Sequence, residues 1–182
     1  MTLAILVIAG IAYPFLLYAG SGQVPSLVFA AFACALLALR AWLGPDWTAP
    51  LQRPLLIAIP LIAAIALLDD DLAAKAYPVA ISWGFALLFA QSLWSPVSLV
   101  ERFAALQGNI LTPTARRYCR RVTLIWAGWL ALNGGIAAAL AMTGALEAWT
   151  LWTGLISYLV TGALFAAEFS LRRILRQRHA QG

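Results

Sequence analysis

Leu111–Ala141 reads LTPTARRYCRRVTLIWAGWLALNGGIAAALA, and its two ends suit different solvents. Thr112 is a natural N-cap, and Pro113 suits the first helical position, where no backbone N–H is needed. Arg116, Arg117, Arg120 and Arg121 follow, within one arc of about 140° at 100° per residue. Cys119, Val122, Trp126, Trp129 and Asn133 fall on the opposite side. From Thr123 onward the stretch is apolar over a membrane-length run. One helix is therefore expected to carry a basic face at a membrane surface and then to cross the bilayer. Arginines at the mouth of such a span can snorkel to lipid phosphates.

The rest of the chain is of the same kind. Of its 182 residues 63% are hydrophobic and 10% charged, more apolar surface than a soluble domain of this size can hide. Apolar runs predict an all-α integral membrane protein, one domain over residues 1–182, with six transmembrane helices. The expected spans are 2–19, 24–43, 54–68, 77–94, 123–143 and 148–169. Pro14 should kink the first. Its run lacks a preceding Lys or Arg, so it is expected to be a retained span rather than a cleaved signal. The third is short for a bilayer core about 30 Å thick and is interrupted by Pro60. Asp69-Asp70-Asp71 ends it as a solvated turn. Residues 97–107 have Leu99, Phe103 and Leu106 on one face, with Glu101 and Arg102 off it. That pattern predicts a short amphipathic helix lying in the interface before the fifth span. Residues 170–182 form a basic tail with Arg172, Arg173, Arg176 and Arg178.

Charge sets an orientation. On the six-span map, eleven of the twelve basic residues fall on one side; only Lys75, beside the three aspartates, falls on the other. The positive-inside rule then places both termini in the cytoplasm, an N-in/C-in bundle. The net charge of +5 reports topology and contact with anionic membrane lipids, not nucleic acid.

Candidate chemistry is sparse. The arginine face of Arg116, Arg117, Arg120 and Arg121 can bind an acidic partner or anionic lipid, or can serve only as a topology signal. Trp126, Trp129 and Asn133 can line a cavity or, more economically, make helix–helix contacts. Glu168 precedes Arg172 by four residues, the spacing of a helix-surface ion pair. His179, in the tail, is the single histidine, so neither a Ser-His-Asp site in the bundle nor a multi-histidine metal site is available. Cys34 and Cys119 lack metal-ligand spacing. No phosphate-binding or nucleophile-elbow motif is present, so no cofactor, metal or catalytic residue is expected.

Two segments carry a resemblance: SLVERFAALQ at Ser98–Gln107 and LTPTARRYCRRVTLIWAGWLALNG at Leu111–Gly134. Together they resemble a family of uncharacterised bacterial inner-membrane proteins, encoded beside fatty-acid-synthase-like genes for aryl polyenes and sometimes labelled ketosynthases. The resemblance covers about a fifth of the chain. It implies a multi-pass protein of the bacterial inner membrane and makes an acidic acyl carrier protein, or a biosynthetic enzyme, a candidate partner for the arginine face. It transfers no catalytic residue: a ketosynthase needs a nucleophilic cysteine with partner histidines, which this chain lacks. The expected function is a non-catalytic membrane component of a lipid or aryl-polyene-type pathway. The alternatives are a small transporter or flippase for a lipid-like product, with Asn133 lining its path, and, weaker, a lipid-modifying enzyme.

Overall fold

The structure, a computed structural model, describes residues 2–43, 49–106 and 112–180, with side chains over 8–43, 57–106 and 112–172. Trp47, Gln107 and the side chains of Arg53, Arg173, Arg176, Arg178 and His179 lie outside the described residues. The chain is all helical among the described residues. The order is α1 (Thr2–Gly20), α2 (Ser26–Leu43), α3 (Ala49–Ala66), α4 (Asp70–Ser92), α5 (Leu99–Leu106), α6 (Pro113–Met142), α7 (Leu146–Leu151) and α8 (Ser157–Ala180). A π-helical turn, Trp152–Ile156, joins α7 to α8, so Leu146–Ala180 is one continuous helical run.

Four helical stretches are long and apolar enough to cross a membrane: α2, α4, α6 and Leu146–Arg172. The apolar stretches Ile8–Gly20 of α1 and Ile57–Ala66 of α3 are shorter. Leu124, Ile125 and Leu132 on α6 and Leu155 and Leu159 near α8 are exposed. An apolar exterior of this extent is what lipid covers.

The middle of the bundle is α4, which packs against α2, α3 and, most extensively, α6. It begins at Asp70, seven residues before the expected Tyr77. Asp69 caps it, its carboxylate accepting from the Leu72 N–H at 2.9 Å, and Asp70 and Asp71 occupy the first turn, where the helix dipole favours negative charge. The aspartates expected to end the third span as a solvated turn thus start the fourth helix. Tyr77-Pro78 suits a helix start in sequence, yet Pro78 lies inside α4. A proline there removes the N–H that would reach the carbonyl four residues back, Ala74. The buried Tyr13 hydroxyl of α1 donates to that carbonyl instead. A neighbouring helix therefore satisfies what the proline frees.

Next, α6 runs unbroken over 30 residues, about 45 Å at 1.5 Å per residue. That exceeds a bilayer core of about 30 Å, so its arginine turns extend past one end of the apolar segment. Thr112 caps it, accepting from the Ala115 N–H at 3.3 Å, with Pro113 first in the helix. Gly144, at φ 73°, makes the turn into α7.

The short α5 buries a face that matches the expected one only in part. It docks on α6: Val100 and Ala104 pack with Cys119, Val122 and Trp126. Its buried face includes Glu101, which the sequence pattern put off the apolar face, while Leu106 is exposed. Two contacts make burial of that carboxylate tolerable. Glu101 Oε2 accepts from the Ser98 N–H at 3.3 Å, and Oε1 lies 3.4 Å from Arg116 Nε.

Candidate functional site

Trp126, Trp129 and Asn133 share a face of α6, and the structure gives each a different neighbour. The Trp126 ring stands 4.5 Å from Phe165 of α8 and 6.3 Å from Phe89 of α4, centroid to centroid. Trp129 Nε1 donates to the Thr161 hydroxyl at 3.0 Å. The Asn133 amide nitrogen donates to the Ser82 hydroxyl of α4 at 3.0 Å, and its oxygen accepts from Trp152 Nε1 at 3.0 Å. Asn133 therefore ties α6 to α4 and to the π-helical turn. One turn of that contact requires a glycine: a Cβ at Gly134 would fall 2.4 Å from Trp83 Cδ1.

Towards the arginine end, the same face opens into a groove of about 680 Å³ between α4, α5, α6 and α8. Its walls are mostly apolar: Phe85, Phe89, Phe103, Trp126, Leu130 and Phe165. Glu168 and Arg172 also line it, joined by the ion pair their spacing predicts, at 2.6 Å. Asn133 does not line this groove. The chain matches no family model, no curated protein and no solved structure in the comparisons made. The site's chemistry therefore rests on its own residues.

The four arginines divide into two pairs. Arg116 pairs with Glu101, and Arg120 reaches across to the carbonyl oxygens of Leu93 and, at 3.4 Å, Ser95. These two hold the α4–α5 connection and α5 itself against α6. Arg117 and Arg121 are exposed and have no side-chain partner among the described residues. An outward basic surface thus remains, narrower than the four-residue face.

A cation near the C-terminus of α2 packs among three helices. Arg40 of α2 approaches Gly10 of α1 and Tyr77 of α4: a Cβ at Gly10 would lie 3.2 Å from Arg40 Nη2 and 2.9 Å from the Tyr77 hydroxyl. Arg40 is half-buried and Tyr77 buried. Helical side chains lean towards the helix N-terminus, which carries the Arg40 head group back along α2. Its position near the C-terminus of an apolar run was the visible signal; its partners on two other helices were not visible. Among the described residues no three His, Cys, Asp or Glu side chains are grouped to hold a metal ion.

Proposed function

We propose that this chain is a non-catalytic membrane component that holds a long-chain amphiphile of acyl or polyene type for acidic cytoplasmic partners. The observation that carries the reading is the groove: an apolar trough beside Trp126 with the Glu168–Arg172 pair in its wall. Apolar walls suit a hydrocarbon chain, and a few charged groups fix the position of a polar head. Arg117 and Arg121, exposed on the helix that forms one wall, provide the charge on which an acyl carrier protein or biosynthetic enzyme would dock. The family resemblance of Ser98–Gln107 and Leu111–Gly134 fits a chain of this kind in a lipid or aryl-polyene-type pathway of the bacterial inner membrane.

The transport alternative requires Asn133 to line a path. Both amide atoms of Asn133 are instead engaged by Ser82 and Trp152, so the groove reading has the stronger support. The proposal includes six crossings with both termini cytoplasmic, on the distribution of basic residues. Ala73, a natural reporter position by sequence, is fully buried, whereas Leu68 and Trp94 are exposed at opposite ends of α4. With Cys34 and Cys119 replaced, an impermeant thiol reagent applied from the periplasm should label Leu68→Cys and not Trp94→Cys. The reverse pattern would invert the bundle.

The groove itself is tested by binding. A conjugated polyene fatty acid should bind the purified protein saturably, with its emission rising in the apolar site. Leu130→Trp, which fills the groove, should abolish that signal, and Asn133→Leu should retain it. Unchanged binding by Leu130→Trp would remove the groove from the function.

A further inference from the structure

The opposite end of the bundle holds a second pocket, of about 630 Å³, where the α1–α2 and α6–α7 turns meet the start of α4. Its lining includes Ser21, Gln23, Ser26, Asp71 and Lys75, against the apolar Leu17 and Phe29. Gly22 and Gly144, both in the left-handed region at φ 80° and 73°, turn the chain at its rim without adding side chains. Lys75 is only 9% exposed. Its side chain lines the pocket, and the lean of helical side chains aims it at this end of α4.

The charges here are arranged unusually. Asp71 precedes Lys75 by four residues, the favourable order for an ion pair along a helix. The two do not pair. The ion pairs among the described residues are Arg116–Glu101 and Arg172–Glu168. The Asp71 Oδ1 atom accepts instead from the Ser26 hydroxyl of α2, which leaves Oδ2 without a protein donor among the described residues. Lys75 likewise has no hydrogen-bond partner among them. Lys75 is thus a buried residue whose ammonium has no ion-pair or hydrogen-bond partner among the described residues, and an anion in the pocket would supply one.

We propose that this pocket binds a head group carrying one phosphate and one primary amine, the phosphate on Lys75 and the amine on Asp71. One helical turn separates the two charges, so a ligand with both groups can meet them together. The free Oδ2 atom offers an acceptor for an amine N–H, which a quaternary ammonium lacks. Ser21 and Gln23 add neutral donors for phosphate oxygens, and Leu17 and Phe29 give the first atoms of a chain an apolar wall. The site is independent of the groove at the other end. Phosphoethanolamine is the shared chemistry, whether on a membrane lipid or free.

The test titrates delipidated protein in neutral detergent with short-chain phosphatidylethanolamine, phosphatidylglycerol, phosphatidylcholine and soluble phosphoethanolamine, reading the thermal unfolding midpoint. Phosphatidylethanolamine should raise the midpoint at about ten-fold lower concentration than the glycerol or choline lipid, a difference of about 1.4 kcal/mol. Lys75→Met should abolish the rise and Lys75→Arg should restore it, which separates lost binding from lost folding. Asp71→Asn should erase the preference for ethanolamine over choline. A rise with soluble phosphoethanolamine equal to that with the lipid supports the site and makes the ligand soluble; a rise with the lipid alone supports it and makes the ligand a lipid. Equal rises with all three lipids, or an unchanged response in Lys75→Met, would overturn the proposal.

Discussion

Two parts of α6 carry patterns of equal clarity in sequence, and the fold uses them differently. The Trp126–Asn133 stripe stays a contact surface, although its three members meet Phe165, Thr161 and the Ser82 and Trp152 side chains separately. The Arg116–Arg121 cluster, equally confined to one arc, is divided between inward and outward roles. Helical periodicity fixes which residues share a face. It does not fix what lies against that face. Carbonyls just past the end of α4 are invisible to it, and Arg120 donates to those carbonyls.

The most disruptive way to probe this difference is at the tightest point of the stripe. A methyl group at Gly134 meets the Trp83 ring at 2.4 Å, whereas one at Gly128 or Gly135 meets nothing within 4 Å. Gly134→Ala should therefore destabilise the bundle by about 1–3 kcal/mol, the usual cost of overpacking. Gly128→Ala should be neutral or stabilising by up to about 1 kcal/mol, because alanine favours the helix. Detergent-driven unfolding of the two variants gives the comparison. Equal effects would mean that α4 and α6 are not in contact there.

Asn133 comes next. Asn133→Leu loses a donor to Ser82 and an acceptor from Trp152, and should cost about 0.6 kcal/mol and at most about 2. Ser82→Ala in the Asn133→Leu background should then add little, since the shared bond is already gone. Full additivity would show that the Ser82–Asn133 bond contributes nothing to stability. Loss of function at unchanged stability would move Asn133 from the packing of the bundle to a binding site.

The arginines give a smaller effect and a sharper contrast. Arg120 donates to two carbonyls and Arg116 faces a buried carboxylate, but both arginines are exposed, so solvent reduces their contribution. Arg116→Gln or Arg120→Gln should each cost about 1 kcal/mol. The unfolding midpoint, read against identical changes at positions 117 and 121, tests the division. If all four glutamine variants behave alike, the arginines form one face after all.

Much of the bundle was legible because its signals are local. The cap at Thr112, the proline after it, the apolar run to Met142 and the Glu168–Arg172 spacing all act within a few residues, and each has its counterpart in the structure. What was missed lies across helices. Pro78 passes for a helix start until Tyr13 supplies a donor to Ala74. Glu101 passes for a solvent-facing residue until Arg116 and the Ser98 N–H surround it. The Ser98-x-x-Glu101 spacing was a readable capping signal for that second case. No comparable signal exists for Arg40, whose neighbours come from α1 and α4, nor for the groove, which four helices build together.

The last contrast changes stability least and function most. Arg117 and Arg121 are exposed and make no ion pair or side-chain hydrogen bond among the described residues, so lysine at both positions should keep the charge, the orientation and the unfolding midpoint. A topology signal needs only that charge. A docking surface needs more, because a guanidinium meets a phosphate or carboxylate with two parallel hydrogen bonds where an ammonium offers a point charge. The Arg117→Lys, Arg121→Lys double variant should therefore weaken capture of an acidic acyl carrier protein by the purified membrane protein. Adding Arg116→Lys and Arg120→Lys should weaken capture little further, since those two guanidinium groups already have partners within the chain. Capture by the wild type should also fall with salt, because exposed charges are screened within about 10 Å at 0.1 M ionic strength. If the double variant captures the carrier as well as the wild type does, and salt does not matter, the arginine turns serve insertion and packing alone.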